Sequence, residues 1–509
     1  MQGHAKAAIT VLLVGLLSIA GFKLFKADIE DHFYSDTTDA RSTKGKIRIG
    51  VDNWVGYYPL CSKEMKRSLR KQGFLLECVD DNADYQTRMS SLDKGKLDLA
   101  VATVDAYLTS GKAYNYPATI VAVIDESKGG DAIIANKDSI DSLDDLKTPR
   151  ELVLGYTANS PSEHLLRAVA SHFDINTIKD KQFDILHTDG SSDALRKLQH
   201  GEVDVAVLWE PDVSIALKDH RFKRILGTED TQKLIVDVLL ASHEFTRSKP
   251  EALQLVLASY FKVLKFYRDN PQELIKELTK VTELNKKQVN SLLGGVAWKG
   301  LGQNMSVWLE GEYALVDTIE SSIKIFSDFE EIPTDLIPNG DPYRLINTRP
   351  LQEVQSALTA NGLSVMSDGK VNSRQFSELT NQQWQHLVEV GTLKIRPVVF
   401  SSGSNNLSQN SKVQLNDTAD NLKHYPSFRI RIEGHTGTRG DKGKNRQLSQ
   451  ARADEVKSYL IEELGFNSSR IQSLGKGSQE PLIRDLGESN RHYTGRLKRV
   501  EISLLKETY

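Results

Sequence analysis

Cysteine is nearly missing: Cys61 and Cys78 are the only two in 509 residues. Without a Cys-x-x-Cys or histidines at metal spacing, a zinc ribbon or a disulfide-dense framework is excluded. In a strand–helix–strand unit the two cysteines would fall near the same end of a sheet, where a disulfide is geometrically possible. Two buried thiols are the slightly favoured reading. No Gly-x-Ser-x-Gly elbow, no His-Glu-x-x-His and no Cys/His pairing in one segment occurs, so the chain reads as a non-enzyme without a cofactor. Charge of one sign is lacking as well, with 65 Lys+Arg against 68 Asp+Glu. The basic residues are scattered and no nucleic-acid motif is present, which excludes nucleic acid as a partner. Gly440, Gly443 and Lys444 fail phosphate-loop spacing, with Asn445 where a Ser or Thr would hold magnesium.

Long apolar runs are limited to one, Ala7 to Phe22. Its sixteen residues would span ~24 Å as a helix, short of a ~30 Å hydrocarbon core. It reads either as an N-terminal membrane anchor, extended to Phe25 with Lys23 snorkelling, or as a signal peptide cut near Ser18-Ile19-Ala20. The anchor is slightly favoured, and no cysteine follows to carry a lipid. Both readings put the rest of the chain outside the cytoplasm, in the periplasm.

What is present is a repeated strand–helix rhythm, which implies parallel α/β sheets. Strands are expected at 46–51, 74–79 and 96–102, with helices between. The rhythm restarts at 151–156 and continues through strands 183–187 and 203–209. Lys94-Gly95-Lys96-Leu97-Asp98-Leu99-Ala100 echoes His200-Gly201-Glu202-Val203-Asp204-Val205-Ala206: a helix end, a glycine cap, then a strand. Two such lobes in tandem describe a bilobal binding protein that holds a ligand in its cleft. Division follows as 1–26 signal or anchor, 27–45 tether, 46–330 bilobal domain, 331–392 connector and 393–509 C-terminal domain. From Arg396 to Tyr509 the surplus of basic over acidic residues is +6, which leaves −9 for the remainder. A basic C-terminal domain suits an acidic partner.

Trp54-x-Gly56-Tyr57-x-Pro59, Gly95-x-x-Asp98 and Asp125-x-Ser127-x-Gly129-Gly130-Asp131-Ala132 open a series of short motifs. Leu143-Asp144-Asp145-Leu146-Lys147, Ser160-x-Ser162-x-x-Leu165 and Gly201-x-Val203-Asp204-x-Ala206-x-x-Trp209-Glu210-Pro211 continue it. In this order, over about residues 46–329, they resemble the nitrate/sulfonate/taurine-type periplasmic substrate-binding proteins of ABC importers. The resemblance implies a type II periplasmic-binding-protein fold, a small-molecule solute and delivery to an ABC transporter permease or a membrane sensor. The related thiamine-pyrimidine synthases carry a cysteine-rich iron site that has no counterpart here.

Candidate ligand contacts are Trp54 and Tyr57 after the first strand, Thr103 and Asp105 at a strand end, Asp131, and Ser160 and Ser162 at a capped helix start. Asp189 and Ser191 before a helix, and Trp209 and Glu210 at a strand end, complete them. A helix N-terminus can hold an anionic group. Carboxylates nevertheless outnumber basic groups here, so the expected ligand bears an amine or several hydroxyls rather than being a bare inorganic anion.

Near the C-terminus, Gly434-His435-Thr436-Gly437-Thr438-Arg439-Gly440 leads to Asn445 and then Leu448-Ser449-Gln450-Ala451-Arg452-Ala453. This resembles the OmpA-like domain, an α/β module that binds peptidoglycan. That family grips a diaminopimelate-type residue with an Asp after Gly-His-Thr and with the Arg of Leu-Ser-x-x-Arg-Ala. Arg452 and Asn445 match; Gly437 stands where the acid belongs, and Asp441 is the expected substitute. The whole reads as a receptor held at the wall, with a structural peptidoglycan-associated scaffold as the alternative.

Overall fold

A computed structural model describes residues 43–507 apart from 283, 331, 334, 361–375, 396–397, 399 and 401–404. The apolar run 7–22 lies outside the described residues. Among the described ones, no helix is long and apolar enough to cross a membrane.

The first lobe is a five-stranded sheet in the order β2-β1-β3-β10-β4. Its strands are β1 (Gly45–Val51), β2 (Phe74–Asp80), β3 (Leu99–Thr103), β4 (Ala118–Glu126) and β10 (Val236–Ser242). β1 is parallel to β2 and β3, whereas β10 runs antiparallel between β3 and β4. The second lobe repeats the plan as β7-β6-β8-β5-β9, built from β5 (Asp131–Asn136), β6 (Val153–Tyr156), β7 (Asp184–His187), β8 (Val205–Trp209) and β9 (Phe222–Gly227). Here β5 is the antiparallel insert between β8 and β9. The chain crosses from lobe to lobe twice, through Ser127–Gly130 and through Thr228–Ile235. Each lobe thus receives its antiparallel strand from across a crossover.

The parallel strands and helices fall close to the ranges expected from the sequence. The helices Tyr85–Asp93 and Pro161–His172 are started by side-chain caps, Asp84 accepting from Thr87 N at 3.0 Å and Ser160 from Ser162 N at 3.2 Å, whereas helix Ser191–His200 starts at Gly190 without one. Gly201 ends the last in the left-handed region, φ 73°. β4, β5, β9 and β10 carry no alternation to announce them; β10 is buried along its whole length.

Cys61 and Cys78 form a disulfide with Cα atoms 6.2 Å apart, which corrects the preference for free thiols. Cys61 ends the short helix Tyr58–Cys61, and Cys78 lies on the edge strand β2, within reach of it.

The stretch after the lobes packs back on them. Ile346 bridges to Ile120 of β4, and helix Arg349–Ala360 lies against helix Pro250–Asp269. The C-terminal module is a four-stranded sheet, β11-β14-β12-β13, of β11 (Val388–Thr392), β12 (Arg429–His435), β13 (Ile471–Gly477) and β14 (Val500–Lys506), with helices Gln409–Lys423 and Lys442–Glu462. β11 lies just before residue 393, where the sequence division starts the C-terminal domain.

This module is seated on the second lobe. Tyr425 is fully buried, its ring 5.4 Å from Phe173 and its hydroxyl 2.8 Å from His172 Nδ1. The Thr392 backbone N–H donates to Asp144 at 3.1 Å, and a Cβ on Gly391 would come within 2.9 Å of the Phe173 ring. Gln232 of the second crossover donates its N–H to His424 O at 2.7 Å, and Lys506 of β14 pairs with Asp230.

The disulfide closes a loop with a sequence separation of 17, which constrains the unfolded chain by about 3 kcal/mol. Reduction should lower the denaturation midpoint of the full chain accordingly. Coincident unfolding curves with and without reductant would contradict this.

Candidate functional site

The two lobes face each other across a partly open recess with a cavity volume of about 40 Å³. Lobe 1 lines it with Asp52, Asn53, Trp54, Tyr57, Ala83, Tyr85, Thr103 and Asp237; lobe 2 contributes Asp131, Ser160, Pro161 and Trp209; the second crossover adds Ile235. Most of these residues follow the carboxyl ends of parallel strands, where an α/β sheet opens a crevice. β1 leads into Asp52–Tyr57, β3 ends at Thr103, β6 leads to Ser160 and β8 ends at Trp209.

Trp54 is held by two glycines and a carboxylate. Its Nε1 donates to Asp125 Oδ1 at 3.3 Å. A Cβ on Gly130 would lie 2.3 Å from Trp54 Cη2, and one on Gly56 only 2.1 Å from Asp125 Oδ2. Both positions therefore admit nothing larger than hydrogen. The Tyr57 hydroxyl donates to Asp237 Oδ1. Ser191 pins the backbone of Trp209 from both sides: its Oγ accepts from Trp209 N at 3.0 Å and donates to Trp209 O at 3.1 Å.

Acids dominate the electrostatics. Asp52 is balanced by the fully buried Arg88, whose NH2 lies 3.1 Å from Asp52 Oδ2 while the same guanidinium also binds Asp81. The others have no such partner. Burial pushes Asp105, Asp125 and Asp131 each up to about 7. Asp237 is raised further, by burial and then by the Asp125 charge. Thr103 Oγ1, Asp105 Oδ1 and Ser162 Oγ are buried atoms without a hydrogen-bond partner among the described residues.

Of the residues singled out in the sequence, Trp54, Tyr57, Thr103, Asp131, Ser160 and Trp209 line the recess together. Asp105 lies behind, close enough to raise Asp131. Ser162 is buried in the first turn of its helix. Ser191 acts on the backbone of Trp209, as described. Asp189 is exposed, its N–H donating to Asp193 at 3.2 Å. Glu210 turns away to cap helix Asp212–Ala216, accepting from Ser214 N at 3.0 Å. Sequence reasoning missed Asp52, Asn53, Ala83, Tyr85, Pro161, Ile235 and Asp237. Asp52 and Asn53 stand next to Trp54 and were legible; Asp237 arrives from 134 positions beyond Thr103, with no local signal.

In the module, Asp441 caps helix Lys442–Glu462, accepting from Lys444 N at 2.9 Å. Arg452 lies eleven residues on, ~16 Å along the axis, so the structure does not bring the two together. Arg452 is largely buried with its guanidinium 4.9 Å from the Phe400 ring, and burial lowers its pKa. Asn445 Nδ2 donates to Arg439 O at 3.0 Å. Beside Gly437 stands a cation: Lys498 Cε would lie 3.9 Å from a Cβ placed there. Glu433, His435 and Glu480 bring ligand atoms within 4.8 Å of one another, but the Lys476 ammonium, 3.3 and 2.8 Å from the two carboxylates, already compensates them.

Residues 40–282 match the NMT1-like family and residues 399–494 match the OmpA family. The chain joins an NMT1-like region, folded here as two α/β lobes, to a C-terminal OmpA-like module. Among curated relatives, outer membrane porin F of Pseudomonas aeruginosa is 30% identical over 101 residues, which are 20% of this chain and 29% of that protein. The peptidoglycan-associated lipoprotein of Buchnera aphidicola is 41% identical over 88 residues, 17% of this chain and 50% of that one. The chain thus spans half or less of either relative.

Similar solved structures include the alkanesulfonate-binding protein SsuA of Xanthomonas axonopodis bound to MOPS, at 16% identity and a TM-score of 0.48, covering 58% of this chain and 98% of that one. The nitrate-binding protein NrtA of Synechocystis has 13% identity and a TM-score of 0.49, covering 63% and 91%. The desulfurization enzyme DSZB is also among them, at 11% identity and a TM-score of 0.43, covering 62% and 99%.

The raised acids and the buried histidines set opposite pH dependences. An acid whose folded pKa is raised contributes stability that is lost as pH climbs through about 7. Burial lowers His164 to about 3 and also lowers His172 and His424, so their contribution is lost as pH falls below 6.5. The two effects oppose one another from about pH 4 to 6.5, and above that only the acids act. The melting temperature of the ligand-free chain should therefore fall between pH 6.5 and 8, and Asp131→Asn should flatten the fall. A rise over that window would contradict the assignment.

Proposed function

We propose that the protein is an envelope receptor which captures a small solute between its lobes and is held at the cell wall by its C-terminal module. Delivery is to an ABC transporter permease or to a membrane sensor. The observation that carries this reading is the recess itself. Its polar lining includes a buried hydroxyl without a partner, Thr103 Oγ1, and its aromatic walls Trp54 and Trp209 come from opposite lobes. A recess built only for packing would be filled by its own side chains. Two connections cross between the lobes, which suits closure about a hinge. The site residues are those that face the recess: Trp54, Tyr57, Thr103, Asp131, Ser160 and Trp209, with Asp105 behind them.

The module supports the wall half of the reading through its family and through Arg452 and Asn445. With Gly437 in place of an acid and Lys498 beside it, the grip on an ammonium-bearing stem peptide is weaker than in the family. The initial apolar run, as anchor or signal, would place the chain in the periplasm.

Two measurements on the full chain test the halves separately. Native mass spectrometry of the protein purified from its own envelope should show a bound molecule of small mass; a bare chain in repeated preparations contradicts capture. Co-sedimentation with purified sacculi should retain the protein at low salt and release it as salt rises. Failure to sediment at low salt contradicts wall binding and leaves capture standing.

A further inference from the structure

We infer that the interlobe recess takes a small organic cation, an ammonium-bearing molecule seated against Asp131 and the aromatic walls, and not an anion. The inference rests on the receptor reading above.

The lining contains three carboxylates, Asp52, Asp131 and Asp237, and no lysine or arginine. The basic groups nearest to it are committed. Arg88 is fully buried and binds both Asp52 and Asp81. Lys299 pairs with Glu126 at 3.0 Å, and Arg167 pairs with Glu163 at 2.7 Å. Neither Asp131 nor Asp237 has a cation among the described residues; Asp237 is tied to the Tyr57 hydroxyl, whereas Asp131 Oδ2 accepts from the Ser127 hydroxyl at 2.6 Å and the charges that act on it are Asp105 and Glu210, both acidic. Above about pH 7, where Asp131 is ionised, an anion brought here would meet its uncompensated charge in a medium of low dielectric, where repulsion is strong.

The one feature that favours an anion is the start of helix Pro161–His172, and it is already satisfied. Ser160 Oγ accepts from Ser162 N, and Glu163 within the first turn accepts from the Asn159 N–H at 2.6 Å. That buried glutamate offsets the positive end of the helix.

The remaining features suit a cation. Trp54, Tyr57 and Trp209 present ring faces or edges to the recess, and an ammonium against an indole is attracted by its quadrupole. Thr103 Oγ1, 1% exposed at residue level and without a partner, can bond a hydroxyl or amine elsewhere on the same molecule. The burial that lifts Asp131 to about 7 is the cost of an unmatched carboxylate; a bound cation would remove it.

The test is calorimetry on the full chain at pH 8, after unfolding and refolding to strip bound solute, with choline, ethanolamine and putrescine against taurine, methanesulfonate and nitrate. At least one of the three cations should bind, and Asp131→Asn, which keeps the shape of the side chain, should weaken it at least tenfold. Trp54→Phe should weaken it less while the disulfide and circular dichroism stay unchanged, which separates recognition from misfolding. Binding of methanesulfonate or nitrate, or an Asp131→Asn variant with unaltered cation affinity, overturns the cation assignment and leaves the receptor reading intact. Silence from all six compounds, together with no small molecule retained in native mass spectra, overturns both.

Discussion

A single buried hydroxyl joins the two connections between the lobes. Thr228 Oγ1 accepts from the backbone N–H groups of Gly129 and Asp131 at 2.9 and 3.1 Å and lies 2.8 Å from Ser127 Oγ. Ser127 in turn donates to Asp131, which faces the recess. The first crossover, the second crossover and the acid at the mouth are thereby one hydrogen-bonded unit. The same unit carries the module, because Asp230 and Gln232 of the second crossover contact Lys506 and His424. Everything the protein is proposed to do passes through these few residues, since their geometry decides where the lobes and the module stand.

The docking of the module alters how a tethered receptor has to be pictured. A module strung on a loose linker would let the lobes move independently of the wall. Here Tyr425, Thr392 and Gly391 are seated against Phe173, His172 and Asp144 of lobe 2, and helix Arg349–Ala360 folds back on lobe 1. The loop that carries the OmpA-like motif is electrostatically unlike what that resemblance implies, with Lys498 beside Gly437 and Asp441 spent on a helix cap.

Much of the lobes was legible because their parallel strands are short apolar segments separated by capped helices, as at Ser160 and Gly201. The family motifs also placed Trp54, Tyr57, Asp131, Ser160 and Trp209 without further help. What could not be read was long-range. β10 is a run of buried residues with no alternation, and nothing local says that it re-enters lobe 1 to bring Asp237 beside Tyr57. Glu210 and Asp189 looked like ligand contacts because carboxylates at strand ends are common in clefts; the Glu210 carboxylate is used by the helix that follows it, and Asp189 is exposed with its backbone N–H donated to Asp193. The disulfide depended on the edge position of β2, which strand order alone reveals.

The account turns on whether a guest molecule occupies the space between Trp54 and Trp209. A crystal structure of the chain purified under conditions that retain its solute decides this most directly. The account predicts density for a small molecule in contact with Asp131 and Thr103, with the module still seated on the second crossover. Trp54 and Trp209 collapsed onto each other, with no space left between the lobes, would contradict it.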